Sequence, residues 1–226
     1  MAIAEVIHEN EEIISTNHNF ITIPLGSNCQ PADFMRAFKI RFFAAPFDWC
    51  ITPFESLYKV IKGDFKNFLS KENLTPFFWG GDNPIPNGIL DKDSGIFYNH
   101  DFPNYTFDSI NQFYESVYTK HDRRIKRFYD QINAGKHVYF IRYLDITKPQ
   151  ACRLLELLKG KFPHTAFTLV VIGNNEEEFD QDWGIQQMKN LYIYCEHVEG
   201  VNYTGLENNP FWKKLCSDIR SDALLS

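Results

Sequence analysis

The chain has 226 residues, 44% of them hydrophobic, with 21 Phe and a formal net charge of −6. That length and apolar content sustain a buried core and exclude an intrinsically disordered chain. The acidic balance argues against non-specific nucleic-acid binding, which needs a basic face, and no apolar run approaches the ~20 residues that cross a bilayer.

Residues 1–19 read as a flexible lead-in. They carry Glu5, Glu11 and Glu12 and no Lys or Arg, which is not the charge pattern of a signal peptide. Five cysteines, at 29, 50, 152, 195 and 216, form no CxxC pair. An odd number without paired spacing predicts a reducing compartment and no disulfide framework. A cytoplasmic location is therefore expected, with non-classical export as the alternative.

Phe20–Leu25 is an apolar run that predicts a short strand. Gly26-Ser27-Asn28-Cys29-Gln30-Pro31-Ala32 predicts a tight turn, and Phe34, Met35, Phe38 and Ile40 recur at helical spacing behind it. Asn28 or Ser27 is a suitable N-cap, and Pro31 is tolerated in a first helical turn. A cysteine at such a turn sits near unpaired N–H groups and the positive helix end. Both favour thiolate, and the N–H groups suit a developing oxyanion.

In Arg41–Trp49, Pro46 pushes Ala45 into an extended conformation. Asp48, between Phe47 and Trp49, is either a turn-capping carboxylate or an acid facing the site. Residues 53–62 predict a helix and 64–69 a short apolar-faced element. Residues 75–105 read as an irregular, aromatic-rich region, a loop that covers a cleft. Within it Ile96–Pro103 reads as a short strand ending in His100-Asp101. Residues 110–132 carry the clearest helical periodicity. Arg123, Arg124, Lys126 and Arg127 on that helix read as a solvated basic face.

From His137 onward the pattern alternates: strand 137–143, a helix capped by Thr147 with Pro149 in its first turn, an apolar strand 167–173, an acidic surface loop 174–181, strand 191–195 and a terminal helix near 211–219. Strand–helix–strand order predicts a mainly parallel sheet with right-handed crossovers. The expected fold is one three-layer α/β domain over residues 20–226 with an irregular aromatic-rich insertion.

Cys29 is the candidate nucleophile and His100 the candidate base. Asp48, Asp101 or Asp145 could orient the imidazole; Asp145 follows the 137–143 strand at its carboxyl end, where open α/β sheets place ligands. Ser27, Asn28, Trp49 and Arg142 are candidate substrate-binding residues. Arg142, an interior-looking charge, needs a partner, either a carboxylate of the protein or an anionic ligand. Cys50, Cys152, Cys195 and Cys216 read as structural, and the other histidines are weaker candidates. There is no P-loop, GxGxxG, HExxH or GxSxG, and the His and Cys spacing suggests no zinc site. No cofactor and no metal are expected; the expected partner is a peptide or small-molecule substrate.

Leu25–Ala32, followed by Pro46-Phe47-Asp48-Trp49, then Asn99-His100-Asp101-Phe102 and Phe140-Ile141-Arg142, resembles a bacterial family of unknown function classed as papain-like cysteine peptidases. The combination of the cysteine block with the Pro-Phe-Asp-Trp block is the specific part. The resemblance implies a Cys–His site with cysteine before histidine, which falls on Cys29 and His100, and a papain-like α+β fold as the alternative architecture. It implies hydrolysis or acyl transfer at a peptide, amide or ester. The competing reading is a non-catalytic module binding a glycan or nucleotide-sugar, with Cys29 as packing; a secreted effector is a third.

Overall fold

In the computed structural model the described residues are 18–78, 85–144, 146–173, 191–195 and 209–221. The lead-in, Asp145 and the 174–181 loop lie outside them, apart from His18 and Asn19. The elements in chain order are β1 (Phe20–Pro24), α1 (Gln30–Ala37), β2 (Cys50–Ile51), α2 (Phe54–Lys62), β3 (Leu74–Phe77), β4 (Gly88–Asp91), β5 (Phe97–Tyr98), α3 (Phe107–Ile132), β6 (His137–Tyr143), α4 (Lys148–Lys161), β7 (Phe167–Gly173), β8 (Leu191–Cys195) and α5 (Pro210–Arg220).

Four strands form a parallel sheet in the order β1-β6-β7-β8. Its central strand β7, Phe-Thr-Leu-Val-Val-Ile-Gly, is buried at every residue, as a strand covered on both faces requires. Side chains of β6 alternate between those faces. Phe140 meets Phe128 of α3 and Phe162 at the end of α4. Tyr143 meets Trp212 of α5, whose ring stacks on Phe34 of α1 at 4.2 Å. Helices therefore pack on both sides of the sheet, and the three-layer α/β expectation holds. No helix among the described residues is long and apolar enough to cross a membrane.

The region 75–105 is more regular than its composition suggests. A second, antiparallel sheet runs β2-β5-β4-β3. Its strands are only two to four residues long, and Pro76 interrupts the alternation of β3, so period-2 patterning has little room to show. The buried Asp91 ties the sheet down. One carboxylate oxygen accepts the Asp93 and Ser94 amides, and the other accepts that of Leu69. Residues 79–84, the centre of the expected covering loop, lie outside the described residues.

α3 begins where Thr106 accepts the Ser109 amide, and α4 begins with a capping box between Thr147 and Gln150. The basic stretch of α3 is not uniformly solvated. Its buried stripe runs through Val117, His121, Arg124 and Phe128, so 3–4 spacing carries His121 and Arg124 inward with the apolar residues. Arg124 is 2% exposed.

Candidate active site

The Cys29 turn is an extension of the β1–β6 ladder. Leu25 and Ser27 amides donate to the Ile141 and Tyr143 carbonyls, and the Tyr143 amide donates to Gly26. Gly26 has φ +79°, and a β-carbon there would stand 3.0 Å from Arg142 Nη1 and 3.1 Å from Thr52 Cβ. Only glycine suits that combination of dihedral and space. Arg142 is fully buried, and its Nη1 donates to the carbonyls of Leu25 and Thr52, 2.8 Å each. The Thr52 amide donates to Ser27. Expected as a substrate contact, Arg142 lies beneath the turn and fastens it to the chain after β2.

Cys29 is the N-cap of α1, and it is half-buried. Asn28 Oδ1 accepts the Gln30 amide at 3.0 Å, and Asn28 Nδ2 donates to Gln30 Oε1. Asn28 thus closes a turn onto the first residue of α1, whose N-cap, Cys29, makes no side-chain cap bond. The thiol pKa is raised, contrary to the expectation from a helix N-terminus. Burial is the larger cause, Asp33 one turn into the helix adds to it, and the residue's own backbone N–H offsets part of it. α1 has eight residues, and a carboxylate in its first turn opposes the positive helix end.

Trp49 lies at the centre of a second group. Arg36 and Arg41 guanidinium carbons stand 5.5 and 5.6 Å from its ring centre, and the exposed His100 meets it edge-on at 6.0 Å. Among the described residues no hydrogen bond, ion pair or electrostatic coupling joins His100 to Cys29. Asp48 is fully buried, and its Oδ2 accepts Arg41 Nε, Arg41 Nη2 and the Ala45 amide. Burial pushes its pKa up, and Arg41 and Arg124 only partly offset that. Among the described residues the carboxylate bonds to an arginine and a turn amide, and to no histidine.

Asp101 does orient an imidazole, but that of His121. Asp101 Oδ2 stands 3.1 Å from His121 Nε2, and Oδ1 accepts Lys120 Nζ. Burial alone would push Asp101 up; His121, Lys120 and Arg124 outweigh it and hold the carboxyl well below the usual range. Burial pushes the His121 pKa down, and Asp101 only partly offsets that. Cys50 completes the group: its Sγ, an Asp101 oxygen and a His121 ring nitrogen all lie within 4.8 Å of one another. This cysteine–histidine–aspartate set was not read from the sequence. Its members come from β2, the turn after β5 and α3, and only the place of His121 in the buried stripe of α3 hinted at it. Cys50 and His121 are each 1% exposed, and burial followed by Asp101 pushes the Cys50 thiol well up.

Residues 20–164 match the model of the family described as "Putative papain-like cysteine peptidase (DUF1796)", and the chain belongs to that family. It is also 25% identical over 221 residues to "Uncharacterized protein R408" of Acanthamoeba polyphaga mimivirus, covering 88% of this chain and 98% of that one. This relative is viral, whereas the sequence resemblance named a bacterial family. No solved structure matches the chain.

Proposed function

We propose that the chain is a thiol-dependent hydrolase or acyltransferase with Cys29 as nucleophile, acting on a peptide, amide or ester carbonyl. The observation that supports this most is the position of a half-buried thiol at the head of α1, on the loop leaving the carboxyl end of a parallel strand. Open α/β sheets bind ligands on that side. Cys50 and Cys216 are buried, whereas Cys29 and Cys152 are half-buried; of these two, Cys29 heads its helix and Cys152 lies within α4. Membership of a family described as cysteine peptidases supports the same reaction class.

The raised thiol pKa sets the form of the mechanism. Cys29 is a thiol at neutral pH and needs a base to take its proton as the sulfur attacks. His100 fills that role when it comes within hydrogen-bond reach, about 2.6–3.2 Å. The sulfur bonds to the carbonyl carbon, the carbonyl electrons move to oxygen, and the Cys29 amide beside the sulfur donates to that oxyanion. Collapse expels the leaving group with the proton from His100. Water or another nucleophile then resolves the thioester. Asn28 and Gln30, bonded to one another, fix the mouth of the loop, and Trp49 offers an apolar ring beside His100 for the acyl group.

The test is acylation by an activated ester, read by peptide mass spectrometry. A single acyl group on Cys29, absent in Cys29→Ser and formed more slowly in His100→Ala, is expected. Acylation spread over several thiols, or none, overturns the reading and favours the glycan- or nucleotide-sugar-binding module.

A further inference from the structure

We propose that Cys50, Asp101 and His121 bind a borderline divalent metal ion of the zinc class. The three residues offer one sulfur, one nitrogen and one oxygen within 4.8 Å of one another. Zinc–ligand bonds of about 2.0–2.3 Å place tetrahedral ligand atoms about 3.3–3.8 Å apart, so the group needs a contraction of about 1.5 Å at most. His121 Nε2 and Asp101 Oδ2 already stand 3.1 Å apart. A thiolate and an imidazole select zinc, cobalt or copper over calcium and magnesium, which take oxygen ligands.

One further feature marks the place as built for something the protein's own hydrogen bonds do not supply. Among the described residues the buried hydroxyl of Tyr98 has no hydrogen-bond partner. Tyr98 lies directly opposite Cys50 in the β2–β5 pair, and its ring meets that of His121 at 5.5 Å. A phenol there can donate to a metal-bound thiolate, the kind of outer contact that tunes metal sites. Phe68 closes another side of the imidazole.

Two cations oppose a metal ion. Arg124 lies within electrostatic reach of Cys50, Asp101 and His121, and Lys120 holds Asp101 Oδ1. The side chain of Lys120 is 31% exposed while that of Asp101 is 2% exposed, so Lys120 can turn to water and leave its place to the ion. Binding forms a sulfur–metal bond and releases the Cys50 thiol proton to buffer; nothing is oxidised or reduced. The ion would tie β2 and the turn carrying His100 to α3. This inference does not rest on the thiol-hydrolase reading.

The experiment is titration of metal-stripped, reduced full-length protein with Co2+, followed by the thiolate-to-cobalt charge-transfer absorption, with Zn2+ displacement and melting temperature as second readouts. One equivalent of Co2+ produces the band, and Zn2+ abolishes it and raises the melting temperature. The band survives Cys29→Ser and is lost in Cys50→Ser. His121→Ala weakens binding by at least about tenfold. Lys120→Met keeps all three donors and tightens it; that variant decides the matter if Cys50→Ser fails to fold. Absence of the band in the wild type, its survival in Cys50→Ser, or weaker binding in Lys120→Met overturns the proposal.

Discussion

Asp48 accepts both Nε and Nη2 of Arg41 on one carboxylate oxygen, at 2.9 and 2.5 Å. The same oxygen takes the Ala45 amide, so one atom closes the turn that presents Trp49. Arg41 in turn lies over the Trp49 ring. A buried carboxylate used in this way fixes local structure before it does anything to a substrate.

Asp48→Asn is therefore expected to destabilise the fold by about 3 kcal/mol, because removing one partner leaves a largely buried guanidinium without its counter-charge. Urea unfolding measures this. Unchanged stability with lost acylation of Cys29 would instead make Asp48 an acid of the reaction.

Arg142 lends itself to a similar separation of roles. Arg142→Met leaves two buried carbonyls, of Leu25 and Thr52, without their charged donor. Hydrogen bonds to charged groups contribute about 1.5–3 kcal/mol each. A loss of about 3 kcal/mol is expected, together with faster hydrogen exchange at the Thr52 amide, which donates to Ser27. A stable variant with normal exchange and impaired ligand binding would return Arg142 to the substrate-contact role read from the sequence.

The pH dependence of Cys29 follows from its neighbours. Burial and then Asp33 raise the thiol pKa, so the thiolate fraction at neutral pH is lower than for a free cysteine. Asp33→Asn removes a raising charge, so the alkylation midpoint moves to lower pH and labelling at neutral pH becomes faster. The Asp33–Arg36 pair that is lost is partly exposed and contributes little to stability. Cys216, pushed up to about 12 by burial, stays unlabelled across the same range. Iodoacetamide rates by peptide mass spectrometry check both, and an Asp33→Asn midpoint at or above the wild-type value contradicts the account.

The parallel half of the fold was legible because its signals are long. β7 is a seven-residue apolar run, and α4 opens with Thr147 and Pro149 where the sequence placed them. The antiparallel sheet was not, because strands of two to four residues, one containing Pro76, carry too little alternation to read. At the site, residue types were legible and partnerships were not. Asp101 neighbours His100 in sequence, but its carboxylate turns to His121 across the space between the β5 turn and α3. Local rules also gave Cys29 the wrong pKa direction, since they count the helix end and omit burial and the charge of Asp33.

Gly26 and Gly135 allow the geometry of the Cys29 turn to be tested against an internal control. Both have positive φ, +79° and +77°, but a β-carbon at Gly135 would meet nothing within 4 Å, whereas at Gly26 it would meet Arg142 Nη1 at 3.0 Å and Thr52 Cβ at 3.1 Å. A left-handed conformation costs an L-residue about 1–2 kcal/mol, and Gly135→Ala is expected to lose about that much. Gly26→Ala adds the displacement of a buried guanidinium that holds two carbonyls, so its loss should exceed that of Gly135→Ala by at least about 1 kcal/mol. The same displacement loosens the loop that carries Cys29, so acylation of Cys29 should slow in Gly26→Ala and stay at the wild-type rate in Gly135→Ala. Equal losses in the two variants would mean that Arg142 does not fasten the turn in solution.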